Sequence, residues 1–407
     1  MQFNYTDLDT VYSEQPVEQV LPAHADRIQA QRIFLVASRS LAEATKQFAA
    51  LRSSLGERFV GISAAIRSHT PREDVLAVLA QVREAEADLL VSLGGGSVID
   101  ACKAIQLGLS EGLETAEDFL DYAQRADGSR GDRHGSALTW MGVPQVSGSA
   151  SSLMGVPQIR PQIRQVAVPT TLSGAEFSNN AGVLDSVANA KEGYRAPGLC
   201  PQAIIYDPAL TLHTPEWLFL STAIRSLDHA IEGFCSADTS SYHDGQFLHA
   251  IRLFAESLPL TKSAPDNLQA RAMNQTAVWS ACCGLGTVSH GASHGIGYIL
   301  GSLHGVPHGH TSCVMLPAVL QWNEDQLPDR MQQIALALGA EQGGAAEAVR
   351  ELIGSLGLPT SLQALGIEKE SLDEIAARAS KHPVVRKNPK PVNSAGQVRE
   401  ILELAWS

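Results

Sequence analysis

Residues 87–104 read Ala-Asp-Leu-Leu-Val-Ser-Leu-Gly-Gly-Gly-Ser-Val-Ile-Asp-Ala-Cys-Lys-Ala. No other stretch constrains the fold as much. Residues 89–93 form a short apolar run, as a strand buried on both faces requires. Gly94, Gly95 and Gly96 then remove every Cβ from the turn, so a bulky ligand can approach the backbone closely. Ser97 stands at the expected N-cap of a following helix, with Asp100 three residues on, as in a capping box. The free N–H groups and the helix dipole make such a turn an anion site, and a phosphate-bearing ligand is its natural occupant.

The surrounding pattern repeats the strand–helix alternation. Strands are expected at 32–37 and 58–62, and helices at 40–55 and 71–85, the latter with Thr70 as N-cap and Pro71 in its first position. A further strand runs over 165–171. This predicts a parallel sheet with helices on both faces and ligands beyond the carboxyl ends of the strands. From about residue 208 the apolar spacing becomes helical, at 217–234, 241–258, 265–284 and 327–339. The expected organisation is a Rossmann-like α/β domain over 1–205 and an all-α domain over 206–407 that carries the catalytic cleft. Residues 124–163, rich in Gly, Ser, Arg and Pro and repeating Met-Gly-Val-Pro-Gln, read as an inserted surface loop.

At 407 residues the chain exceeds one ordinary core. Its formal charge of −13 argues against nucleic acid or an anionic membrane as partner. No apolar run reaches the length of a membrane span, and the first residues lack a signal-peptide pattern. The six cysteines have no metal-type spacing and read as reduced thiols of a cytoplasmic protein.

The histidines carry the second signal. His290 and His294 are four apart, on one face if helical, and His304, His308 and His310 follow closely. Such a cluster can bind a divalent ion or move protons. The segment lacks the glutamate of the HExxH peptidase pattern.

Taken together, these segments resemble the iron-containing (group III) alcohol dehydrogenase superfamily. Gly94-Gly95-Gly96-Ser97, Asp100 and Lys103 are similar to its GGGSxxDxxK pyrophosphate segment, and Pro169-Thr170-Thr171 to the strand end that lies along the cofactor. Tyr206-Asp207-Pro208, His229-Ala230-Ile231-Glu232-Gly233 and Val306-Pro307-His308-Gly309 resemble segments that open the helical domain and line its cleft. Residues 169–176 and the Asn388-Pro389-Lys390-Pro391-Val392 ending resemble the maleylacetate reductase branch. The resemblance implies hydride transfer from NADH or NADPH to a carbonyl, enone or keto acid, and a homodimer.

The departures from the family pattern shape the expected chemistry. The resemblance implies a metal held by an Asp, a His four residues later, a third His and the PHG histidine. Here Arg225 occupies the Asp position, which leaves His229, His294 and His308 as possible ligands, and Tyr298 replaces a further His. A guanidinium cannot ligate and repels a divalent ion, so a metal-free site is expected. In that site Arg225 stabilises oxyanion charge or clamps a substrate carboxylate, and His229, His294, His308 or Tyr298 supplies the proton. Asp228 lies about 100° around the helix from His229. The alternatives are a metal-dependent alcohol dehydrogenase, with Asp228 or His290 replacing the lost carboxylate, and a non-redox lyase or cyclase on the same scaffold. Ser38 and Arg39 stand where NAD-preferring relatives carry an acidic residue. A Ser-Arg pair accepts a 2′-phosphate, which favours NADPH. The expected substrate is a small, anionic molecule.

Overall fold

The computed structural model of the chain describes residues 6–43, 46–124, 131, 161–340 and 343–407. Most of the expected 124–163 insertion lies outside them. The chain forms two compact units that meet in sequence at Thr214 and Pro215.

The first unit holds a six-stranded parallel sheet. In chain order the strands are β1 (Thr10–Ser13), β2 (Ile33–Ala37), β3 (Phe59–Ser63), β4 (Leu89–Gly94), β5 (Arg164–Pro169) and, after the antiparallel pair β6 (Asn180–Asp185) and β7 (Ala190–Arg195), β8 (Ala203–Tyr206). The spatial order is β1-β8-β5-β4-β2-β3. The helices are α1 (Val17–Ile28), α2 (Arg39–Ala42), α3 (Lys46–Leu55), α4 (Arg72–Glu84), α5 (Gly96–Glu111) and α6 (Ala116–Leu120).

Side chains of the central strands alternate between two cores, as the period of two requires. Ile33, Leu35, Leu89, Val91 and Leu93 pack with residues of α1 and α3. Phe34, Val36 and Leu90 pack on the opposite face with residues of α4 and α5. Both faces are covered, which is why these strands read as continuous apolar runs. The expected 40–55 helix is divided into α2 and α3, and the 71–85 helix begins at Arg72 with Pro71 as its N-cap. Thr70 is not that cap; its hydroxyl donates to the Ser97 carbonyl oxygen at 3.0 Å.

The second unit is helical: α7 (Glu216–Cys235), α8 (Ser241–Ser263), α9 (Leu268–Ala281), α10 (Ala292–His304), α11 (His308–Asn323), α12 (Pro328–Ala337), α13 (Ala345–Ser355), α14 (Leu372–Ala379) and α15 (Ala395–Leu404). Its core includes Ile296 and Leu300 of α10, Val314 and Met315 of α11, and Ile401 and Leu402 of α15. Nearly every residue of α7 from Phe219 onward is buried, polar ones included. A helix enclosed on all sides must give each polar side chain a partner from its neighbours. None of the helices is long and apolar enough to cross a membrane, among the described residues.

Candidate active site

The glycine turn closes the carboxyl end of β4. Gly95, not Ser97, is the N-cap of α5, and no side chain caps that helix. A Cβ on Gly95 would lie 2.8 Å from Thr171 Cγ2, so the turn and the β5 end approach as only glycine allows. A Cβ on Gly96 would lie 3.2 Å from the Ser173 hydroxyl oxygen, a tight contact but a looser one than at Gly95. The Thr170 N–H donates to the Gly94 carbonyl at 3.0 Å, tying the two strand ends together. The Thr171 hydroxyl is 3.5 Å from that of Ser173.

The expected capping box does not form, because both of its members are engaged elsewhere. The Ser97 hydroxyl accepts from the His69 N–H at 3.1 Å. Asp100 accepts from the Gly182 N–H at 3.0 Å and from Lys103 Nζ at 3.2 Å. Lys103 is fully buried, and its ammonium also donates to the carbonyls of Ala175, 2.7 Å, and Asn180, 2.8 Å. Asp100 and Lys103 thus brace β6 and the Ala175 turn against α5. The N-terminus of α5, which no side chain caps, is suited to an anion. Ser38 is the N-cap residue of α2 at the end of β2, its hydroxyl 3.3 Å from that of Ser40, and Arg39 follows it, exposed.

In the same unit Glu176 is buried. Its Oε1 accepts from the Tyr206 hydroxyl at 2.8 Å, and its Oε2 has no hydrogen-bond partner among the described residues. Burial pushes this carboxyl up to about 7, against smaller opposing effects of hydrogen bonds and Lys103.

The second unit assembles the histidine centre from α7, α10 and the residues just before α10. His229 Nδ1 lies 2.9 Å from His294 Nε2 and 3.0 Å from His290 Nε2. The His290 and His294 rings stack with centroids 4.1 Å apart. His290 nevertheless precedes the helix, whose N-cap is Gly291, so the expected single helical face is replaced by a turn that brings the two rings parallel. Behind them stands Glu232. It accepts from the N–H groups of Gly291 (2.9 Å), Ser293 (2.8 Å) and His294 (3.3 Å), and it lies 2.8 Å from His294 Nδ1. A carboxylate from α7 therefore satisfies the open end of α10. Gly291 is required for this approach: a Cβ there would meet Asn388 Oδ1 at 2.8 Å and Glu232 Oε1 at 2.9 Å.

Asp228 is fully buried. It accepts from the hydroxyls of Ser293, 2.8 Å, and Ser312, 2.7 Å, and lies 3.4 Å from His294 Nδ1. Arg225 donates from Nη1 to the Ser312 hydroxyl at 3.1 Å, with Asp228 Oδ2 at 3.9 Å. Its guanidinium covers the Tyr298 ring, 5.4 Å from the centroid. Burial would raise the Asp228 carboxyl, but His294, Arg225 and Ser312 outweigh it and hold the group below the usual carboxylate range. Burial and Arg225 push His294 down, and Asp228 with Glu232 more than reverses this. Burial first, then the charges of His294 and Arg225, holds His290 well below an ordinary imidazole.

Among the described residues, two groups bring three ligand atoms within 4.8 Å of one another: His229, His290 and His294, and Asp228, Glu232 and His294. His308 belongs to neither; it stands edge-on to Tyr298, ring centroids 6.1 Å apart. His310 packs on Trp217 and His304 is exposed at the end of α10, so the three sequence neighbours part company. The resemblance implies for Glu232 only a place in the cleft-lining segment 229–233. Its actual partners are 59 to 62 positions away.

Comparison with known proteins follows the same division. Residues 9–208 match the profile described as iron-containing alcohol dehydrogenase, and residues 219–406 that of the Fe-containing alcohol dehydrogenase family, C-terminal. The chain is 30% identical to dehydrogenase FUM7 of Gibberella moniliformis, over 94% of this chain and 92% of that protein. It is 28% identical to maleylacetate reductase 1 of Rhodococcus opacus, over 94% and 89%. The crystal structure of a putative alcohol dehydrogenase from Ralstonia eutropha JMP134 superposes with a TM-score of 0.80 at 26% identity, covering 100% of this chain and 98% of the other.

Proposed function

Because the chain belongs to the iron-containing alcohol dehydrogenase family, whose members are NAD(P)-dependent oxidoreductases, we propose that it reduces the carbonyl or enone of a small anionic keto acid, as maleylacetate reductases do, with NADPH as the favoured hydride donor. The observation that carries this reading is Arg225: a buried guanidinium set among Ser312, Asp228 and the Tyr298 face, at the position where the family pattern has a carboxylate. A permanent cation there recognises a substrate carboxylate and stabilises charge that develops on oxygen, with or without an ion.

NADPH, when bound, would supply hydride to the electrophilic carbon, and the electron pair displaced onto oxygen, directly for a carbonyl or through the conjugated system for an enone, is the charge that Arg225 stabilises. A proton then completes the alcohol or the saturated ketone. Tyr298 and His308, paired edge-on and both partly exposed, are the donors favoured here. The N–H groups at the start of α5 would hold the coenzyme pyrophosphate, and Arg39 would hold the 2′-phosphate.

The test follows NADPH and NADH oxidation with maleylacetate and with uncharged aldehydes. We expect the acid to be preferred, and Arg225→Leu to lower kcat/KM for the acid by about 30-fold or more, the equivalent of about 2 kcal/mol for a lost buried charge pair. Equal losses for acid and aldehyde would remove Arg225 from substrate recognition.

A further inference from the structure

We propose that Asn388, held by Asn323, is a positioning residue for the reducing site: its amide fixes the start of α10 against the end of α11 and so sets Tyr298 against His308. The kinetic part of this inference rests on the keto-acid reduction proposed above; the geometric part does not.

The N–H groups in the first turn of a helix have no partner within it. In α10 those of Gly291, Ser293 and His294 go to Glu232. The N–H of Ala292 goes elsewhere, to Asn388 Oδ1 at 3.2 Å. Two side chains, 59 and 96 positions away in the chain, thus close the whole turn. Glu232 brings the charge. Asn388 brings a neutral acceptor that is fixed on every side. Its Nδ2 donates to Asn323 Oδ1 at 2.7 Å and to the Lys390 carbonyl at 2.8 Å, and its Oδ1 lies 3.4 Å from Asn323 Nδ2. A primary amide offers two donors and one oxygen with two lone pairs, and all are used here. Turning the amide over would set its NH2 against the Ala292 N–H. Both asparagines are buried.

This bracket joins the two helices that carry the favoured proton donors. Asn323 is the last residue of α11, which begins at His308, and Ala292 is the first of α10, which carries Tyr298. The same segment presses on α10 one turn further along. A Cβ on Gly295 would lie 2.5 Å from Val385 Cγ2 and 2.8 Å from the Val385 backbone nitrogen, as one on Gly291 would lie 2.8 Å from Asn388 Oδ1. Residues 385–388 therefore seat on α10 at two glycines four apart. Sliding of α10 past them would carry Tyr298, three residues beyond Gly295, away from His308. Proton transfer requires its donor in place to within a fraction of an ångström.

The test compares full-length wild-type protein with Asn388→Ala, Asn388→Asp and Lys390→Ala in two measurements. The first is NMR of the ring C–H groups of 13C-histidine-labelled protein without substrate. The stacked rings of His290 and His294, and His308 at the edge of Tyr298, carry ring-current shifts. We expect Asn388→Ala to lose these shifts. Asn388→Asp keeps the acceptor for Ala292 and should recover about half of them or more. Lys390→Ala breaks only the outer contacts with Asp325 and Trp322 and should leave them in place. The second measurement is NADPH oxidation with maleylacetate. In Asn388→Ala, kcat should fall about tenfold or more with KM changed by less than about threefold, as displaced donors require. Asn323→Ala frees the amide from the far side and should show the same changes, which keeps the test available if Asn388→Ala does not fold. Wild-type ring signals in Asn388→Ala or Asn323→Ala, a risen KM with unchanged kcat, or an equal loss in Lys390→Ala would each overturn the proposal. Failure of the wild-type protein to reduce maleylacetate would remove the substrate reading alone, with the ring signals still deciding the bracket.

Discussion

Glu176 in the first unit and Glu232 in the second are both buried carboxylates, and they live under opposite conditions. Glu176 has the Tyr206 hydroxyl on one oxygen and no partner on the other, and its proton is retained up to about 7. Glu232 gathers three backbone N–H groups and a histidine ring. Burial is common to both; the number of donors differs. Donors, more than depth, decide whether a buried acid can organise a site around itself.

The largest expected effect breaks the better-supplied acid. Glu232→Ala strands three N–H groups and the His294 ring, and should cost about 3–5 kcal/mol in urea unfolding. A cost below about 1 kcal/mol would mean that the donors find water, and the contrast with Glu176 would collapse.

Next comes the poorly supplied acid. The Glu176 carboxyl has an ordinary value of 4.5 and is raised to about 7 in the fold. The folded state thus binds more protons than the unfolded state between these values. Stability falls as pH rises from 4.5 through 7 and levels off above that. Glu176→Gln cannot ionise, so its stability relative to wild type should climb across this window by up to about 3 kcal/mol. Urea midpoints at pH 4.5 and pH 8 measure the change. A flat difference would show that Glu176 is ionised in the fold.

The smallest effect lies outside both acids, at a locally encoded position. Arg39→Asp should weaken NADPH relative to NADH by about tenfold, about 1.4 kcal/mol, and leave unfolding unchanged, because Arg39 is exposed. An unaltered coenzyme ratio would remove Arg39 from 2′-phosphate binding.

Local features were legible in the sequence. The apolar run of β4, the glycine turn and the start of α5 are continuous in the chain, and their expected order matches the fold. The capping expectation failed because Asp100 reaches Gly182 on β6, 82 positions away, and a spacing rule sees only four residues. In the second unit, the long apolar periodicity of α7 was readable, as were His229 and His294. The role of Glu232 was not, since it depends on α7 meeting the first turn of α10. His290 was visible as one half of an i, i+4 pair, but its stacking on His294 comes from the Gly291 turn rather than from a shared helix.

Lys103 has a practical consequence. Its ammonium is sealed in, with a carboxylate and two carbonyls as acceptors. Amine-directed labelling reagents reach it only when β6 and the Ala175 turn lift from α5. The labelling rate of this one amine therefore serves as a clock for opening of the coenzyme-side frame, read by mass spectrometry against the fast background of exposed lysines such as Lys381.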